Sequence, residues 1–118
     1  MQNARLPKEA KLLNAAAFNR VFEKSVSSSD QYFTVLARPN ELEQPRLGMA
    51  ISKRKIKLAV TRNRLKRIIR ENFRLSQQNT NADYVVMAGR QGATGTNQEL
   101  RKSLEKHWGR LKEKCADF

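Results

Sequence analysis

Apolar positions along the chain fall into six segments whose spacing switches between helical and extended. From about Asn14 to Lys24, Phe18, Val21 and Phe22 recur at i, i+3 and i+4, which places them on one face of a helix. Asn14 precedes the run, and its side chain is suited to accept a hydrogen bond from a first-turn amide that has no intrahelical partner. Ser25 to Asp30 interrupts the pattern with serine-rich turn chemistry. Gln31 to Arg38 then alternates and is rich in strand formers, with Phe33, Val35 and Ala37 directed one way and Tyr32, Thr34 and Leu36 the other. Pro39 ends it, and Asn40 to Pro45 reads as an acidic loop. Arg46 to Ser52 resumes through Leu47, Met49 and Ile51, as expected of a hairpin partner, with Gly48 marking a bulge or a close backbone approach.

A basic link, Lys53 to Lys57, leads into the longest periodic segment, about Leu58 to Gln78. The short apolar run Ala82 to Ala88, with Tyr84-Val85-Val86-Met87 at its centre, fits a buried strand, and Gly89 to Gly95 is a glycine-bearing loop. Thr96 and Glu99 have the spacing of a capping box, in which each side chain satisfies the other's backbone amide. Leu100, Leu104, Trp108 and Leu111 follow at helical spacing to about Lys114, with Trp108 expected in the core. The order is α-β-β-α-β-α, an α+β fold (an α/β sandwich) around one small sheet, with allowance for one extra short strand. No repeat or linker divides the chain, so residues 1–118 read as a single domain. The strand–helix–strand unit around the long helix would cross over right-handed on general grounds.

Charge changes the picture. The 118 residues are 39% hydrophobic, enough for a modest core, yet carry a formal net charge of +13. Such an excess repels itself in a compact state unless a polyanion offsets it, and it points to nucleic acid. No stretch approaches the roughly 20 apolar residues of a membrane span. Met1 to Lys11 lacks the apolar run of a secretory signal, which leaves the cytoplasm as the expected compartment. Cys115 stands alone, so neither a disulfide framework nor a thiolate metal site is expected; it reads as a spectator near a frayed end.

The excess is concentrated. Between Lys53 and Arg74 lie ten basic residues and one acid, Glu71. At about 100° per residue, Leu58, Leu65, Ile68, Ile69 and Phe73 fall within one arc of roughly 140°. Arg62, Lys66, Arg70 and Arg74 form a stripe at four-residue spacing, with Asn63 and Arg67 beside it and Arg64 further round. Like charges four apart cost a helix a few tenths of a kcal/mol per pair, and an ordinary solvated face interleaves Glu with Lys. A phosphate backbone offsets the repulsion, and arginine's planar fork grips it at two points.

The string Lys53-Arg54-Lys55, followed by Thr61-Arg62-Asn63-Arg64-Leu65-Lys66-Arg67-Ile68-Ile69-Arg70-Glu71, closely resembles the "RNR" signature of the bacterial ribonuclease P protein family. Phe18-Asn19-Arg20-Val21-Phe22, Tyr32-Phe33 and Asp83-Tyr84-Val85-Val86 fit it as well, so the resemblance covers about Leu6 to Leu111. It implies a non-catalytic protein subunit of a ribonucleoprotein endoribonuclease. There a catalytic RNA, holding Mg²⁺ itself, removes the 5′ leader of precursor tRNA. By match, Lys53, Arg54, Lys55, Arg62, Asn63, Arg64, Lys66, Arg67 and Arg70 contact the catalytic RNA, and the helical wheel independently favours Arg62, Lys66 and Arg70. Arg64, behind the stripe, is left with either a structural role or contact to another RNA segment. A central cleft between the first helix and the sheet would hold the leader against Phe18, Phe22, Tyr32, Thr34 and Leu36. Leu36 departs from the aromatic often found at its position, which weakens stacking there. The resemblance also implies a left-handed crossover, against the general expectation.

Chemistry by the chain itself is not expected. His107 is the single histidine, and no carboxylate pair has the spacing of a two-metal nuclease. The isolated protein should therefore cleave nothing, and no obligate protein partner is implied. A helix-turn-helix DNA binder would need a helix and tight turn before Leu58, where a strand-like segment stands. A ribosomal protein is the nearer rival on composition. Gly89-Arg90-Gln91-Gly92 matches the bare KH-type loop, but it follows a strand rather than joining two helices.

Overall fold

The computed structural model describes residues 10–11, 14–76 and 80–118. Helix α1, Ala15–Glu23, starts as the pattern predicts, with Asn14 Oδ1 accepting from the Ala17 amide at 2.8 Å. Strands β1 (Val26–Ser29), β2 (Phe33–Pro39) and β3 (Arg46–Ala50) follow, then helix α2 (Ala59–Leu75) and strand β4 (Ala82–Ala88). A 3-10 turn at Arg90–Ala93 interrupts the glycine-bearing loop, and helix α3 spans Asn97–Ala116. The Thr96–Glu99 capping box forms in both directions.

Two expectations are corrected. Ser25 to Asp30 is not only a turn, because Val26–Ser29 forms the edge strand β1, antiparallel to β2. It is the extra short strand. Nor do β2 and β3 pair as a hairpin. The sheet order is β1-β2-β4-β3, with β4 antiparallel to β2 and parallel to β3. The apolar run of β4 needs partners on both edges and lies between the two strands that precede it. Arg46 and Asp83, cross-strand neighbours in β3 and β4, close that parallel seam with two 2.7 Å hydrogen bonds.

The sheet separates two unequal layers. Phe33, Val35 and Ala37 of β2 and Tyr84, Val86 and Ala88 of β4 face α2 and α3. There Leu65, Ile68, Ile69 and Phe73 of α2 and Leu100, Leu104, Trp108 and Leu111 of α3 complete the core. Phe73, Tyr84 and Trp108 meet edge to face at 5.5–5.6 Å between centroids, and the Trp108 indole N–H donates to Asn72 Oδ1. Leu58 does not join this face. It precedes α2 as the N-cap and is 66% exposed, since the wheel applies only once the backbone is helical. Gln77 and Gln78, expected at the end of α2, lie outside the described residues. Cys115 packs against the core from the last turn of α3, and burial raises its thiol pKa.

On the other side of the sheet α1 is the one helix among the described residues. Ala17 and Val21 bury against Val85, flanked by Phe18, Leu36 and Met87. No helix among the described residues is long and apolar enough to cross a membrane.

Candidate nucleic-acid interface

The basic segment is held in place before it meets any ligand. Ile56 is buried and its amide donates to the Ser52 carbonyl, so the link folds as a turn with Lys53, Arg54 and Lys55 exposed. Arg62 Nη1 donates to the carbonyls of Ile56 and Lys57, both at 2.8 Å, which fastens the turn to the first turns of α2. A guanidinium has five N–H donors, so Arg62 keeps the remainder for an outside acceptor. Helix α2 begins with no side-chain cap hydrogen bond at Leu58. That leaves the positive end of its dipole beside the exposed Lys-Arg-Lys turn.

Along α2 the stripe lies opposite the core face, as the wheel predicts. Leu65, Ile68, Ile69 and Phe73 are at most 5% exposed, whereas Asn63 and Arg67 are exposed and Lys66, Arg70 and Arg74 half-buried. Long cationic side chains ordinarily bury their aliphatic stems and keep the head in water, and Arg74 departs from this in burying its Nε as well. Arg64 takes a different course. Its Nε and Nη2 donate to Asn97 Oδ1, and Nη2 also donates to the Gly95 carbonyl, tying α2 to the start of α3. Gly95 itself permits close packing. A Cβ there would stand 2.9 Å from Leu100 Cδ2 and 3.0 Å from the Tyr32 ring.

The α1 face carries a second candidate surface. The Phe18 and Phe22 rings are stacked, 6.5 Å apart and inclined by 26°, with Phe22 50% exposed. Thr34 and Leu36 of β2 lie half-buried on the same face of the sheet as α1. Tyr32 does not join them. Asp30 accepts from the amides of Tyr32 and Phe33, so the strand begins only at Phe33 and the alternation does not extend back to Tyr32. The Tyr32 ring packs instead against the main core beside Gly95.

Sequence reasoning gave His107 no role, and the structure places it at the centre of a polar network. Its Nδ1 lies 2.6 Å from Ser28 Oγ, and its Nε2 lies 3.3 Å from Asp30 Oδ2. Asp30 also accepts from Ser103 Oγ at 2.6 Å and pairs with Lys106 at 3.0 Å. Burial alone would raise the Asp30 pKa. Hydrogen bonds from Ser103, the Phe33 amide, Lys106 and the Tyr32 amide outweigh it and hold the carboxyl well below its ordinary value. Serine, histidine and aspartate in contact suggest a nucleophile relay. Here His107 is 0% and Ser28 4% exposed, so no substrate reaches them and the network is structural. Among the described residues, no three His, Cys, Asp or Glu side chains converge as a metal-holding group.

Known proteins resemble this chain in both sequence and fold. A family model described as Ribonuclease P matches residues 6–112. The chain is 50% identical over 112 residues to the ribonuclease P protein component of Methylococcus capsulatus, covering 93% of this chain and 87% of that one. Its fold superposes on the Staphylococcus aureus RNase P protein with a TM-score of 0.77 at 32% identity, over 83% of this chain and 91% of that one. A mutant of the same S. aureus protein gives a TM-score of 0.83 at 31% identity, over 89% and 90%. The chain belongs to the ribonuclease P protein family, the protein component of a ribonucleoprotein endoribonuclease.

Proposed function

We propose that this protein supports removal of the 5′ leader from precursor tRNA by holding two RNAs on two surfaces. The catalytic RNA docks on the Lys53-Arg54-Lys55 turn and on Arg62, Asn63, Lys66, Arg67 and Arg70 of α2. Arg64 has Nη1 left for RNA beyond its bonds to Asn97 and Gly95. The single-stranded leader lies on the α1 face, with bases stacked on Phe18 and Phe22 and backbone against Thr34 and Leu36. Aromatic faces suit this task because every base has a π-face to stack. The RNA performs the chemistry and holds Mg²⁺. The protein's cations lower phosphate repulsion so that those ions bind more tightly. The setting is cytoplasmic, with no obligate protein partner.

The observation that carries this reading is the cationic face of α2, set opposite Leu65, Ile68, Ile69 and Phe73 and nearly free of acids. The test is cleavage of a precursor tRNA by a bacterial ribonuclease P RNA at low Mg²⁺, with and without this protein. Cleavage at the mature 5′ end only when both are present is expected. A protein that binds RNA tightly yet adds nothing to cleavage would remove the reading. Lys66→Ala combined with Arg70→Ala should weaken binding to the catalytic RNA. It should also flatten the plot of log affinity against log salt by about two, close to one unit per phosphate contact. An unchanged slope would take the stripe out of the interface.

A further inference from the structure

A second cationic feature lies beside the stripe, where the edge of α2 meets the first turns of α3. Arg64, Arg67, Ile68 and Glu71 of α2 and Asn97 and Arg101 of α3 line a cleft of about 270 Å³. Three guanidinium groups thus line the cleft with one carboxylate, and Glu105 lies with Glu71 and Arg101 along the adjoining groove. Glu71 Oε2 stands 3.9 Å from Arg67 Nε, and Glu71 Oε1 stands 3.8 Å from Arg101 Nη2. Neither separation is a hydrogen bond. The side chains of Arg67 and Arg101 remain 74% and 48% exposed.

Ion pairs this exposed and this long contribute at most about 1 kcal/mol, so the cluster is poorly explained as a stabilising device. Its wall, by contrast, is firmly built. Arg64 is committed to Asn97 and the Gly95 carbonyl, which holds α3 against α2 at this point. Glu99 is committed to the Thr96 amide in the capping box. The result is an excess of positive charge over Glu71, at the N-terminal end of a 20-residue helix whose dipole adds to it. An anion with several oxygens could accept from both loosely held guanidinium groups at once. The volume is below the range of pockets that enclose drug-sized molecules, and it suits one phosphate group.

We propose that this cleft is a second phosphate site, in which Arg67 and Arg101 clamp one backbone phosphate of RNA and Glu71 is the internal counter-ion that the phosphate displaces. The inference rests on the RNA-binding reading of α2 and extends the contact surface onto α3. Family resemblance assigned no contact there. Arg101 becomes a binding residue and Glu71 a restraint on binding.

The test compares affinity of the full-length protein for ribonuclease P RNA across a salt series. Arg101→Gln should weaken binding roughly tenfold, the loss of one charge-assisted contact. It should also reduce the salt slope by about one. Glu71→Gln should do the opposite, tightening binding and steepening the slope. Glu113→Gln, an equal change of net charge near the other end of α3, should leave both close to wild type. Thermal unfolding of each variant controls for folding, and Lys66→Ala with Arg70→Ala serves as the reference for the stripe. If that reference loses affinity while Arg101→Gln and Glu71→Gln do not move it, the cleft is no RNA site and the stripe stands. If the reference is also silent, the underlying reading falls first. A free anion is distinguished by following the Nε–H resonances of Arg67 and Arg101. Movement with RNA but not with millimolar inorganic phosphate assigns the site to the polymer. Movement with inorganic phosphate alone overturns the RNA assignment.

Discussion

The two faces of the sheet use the same strands for opposite purposes. On one face, Phe33, Val35, Ala37, Tyr84, Val86 and Ala88 are all at most 3% exposed, sealed by helices of 17 and 20 residues. On the other, a nine-residue helix covers only the middle of the sheet, leaving Thr34, Leu36 and Met87 half-buried and Phe22 half in water. Strand alternation makes this division possible, since neighbouring residues point to opposite sides. Among the described residues, burial is thus concentrated on the α2–α3 side, and the α1 side leaves apolar and aromatic surface partly exposed.

The sharpest way to break this contrast is to truncate one aromatic on each face. Trp108 sits 1% exposed between Phe73 and Tyr84, and its indole donates to Asn72. Trp108→Ala should cost about 3–5 kcal/mol, from lost burial and the cavity left behind. Phe22→Ala should change stability by no more than about 1 kcal/mol, because half of its ring is already solvated. Urea unfolding of the two variants reads both values. Equal losses would mean that α1 and its aromatics belong to a single core, and the division would fail.

How much of this contrast was legible in the sequence depends on how local each feature is. The register of α2, the span of β4 and the Thr96–Glu99 box are written in spacings of two to four residues, and all three appear as expected. The α1 pattern was legible too, although its Phe18–Phe22 pair has the same spacing whether it faces core or ligand. What failed is non-local. Strand β1 is Val-Ser-Ser-Ser, with little apolar signal, and its inward residue Ser28 is satisfied by His107, 79 positions away. The insertion of β4 between β2 and β3 is set by which edges need partners, and no turn motif records it. Tyr32 packs on the main core and not on the α1 face because the Asp30 side chain, by binding two amides, starts the strand at Phe33, two residues after the Gln31 start that the alternation predicts. Among the candidate site residues, the cationic stripe of α2 followed from periodicity, whereas the Lys53-Arg54-Lys55 turn was marked only by its charge and by the resemblance. The ties made by Arg64 to α3 depend on where the chain returns 31 to 33 residues later.

The open face yields the next largest effect. Phe18→Ala should weaken binding of precursor tRNA carrying a leader by about 1–3 kcal/mol, the usual value of one stacked base. It should leave binding of mature tRNA by the assembled ribonucleoprotein nearly unchanged. The leader-specific difference is the readout, because Phe18 is half-buried and its truncation also removes some packing. Equal losses on both RNAs would return Phe18 to the core and reduce the open face to ordinary surface.

The smallest effect belongs to the closed face and concerns pH. His107 is fully buried among Ser28, Asp30 and the α3 neighbours Lys106 and Arg110. Burial pushes its pKa below the ordinary 6.5, and the charges of Lys106 and Arg110 add to that, while Asp30 opposes it without prevailing. The folded state therefore disfavours the protonated ring. Above 6.5 the contribution to stability is complete, and as pH falls below 6.5 the unfolded chain takes up a proton that the folded chain resists. The slope for one group cannot exceed about 1.4 kcal/mol per pH unit. Asp30 acts in a separate window. Its carboxyl is held below the ordinary 3.8, so its contribution is lost only as pH falls beneath that value. Because the chain has one histidine, urea unfolding between pH 7 and pH 5 isolates the first effect. His107→Gln should lower stability at pH 7, through loss of the Ser28 contact, yet flatten the dependence on pH in that range. A variant that keeps the wild-type slope would show that the acid sensitivity arises elsewhere, and that the polar network beneath β1 is no part of what holds the closed face together.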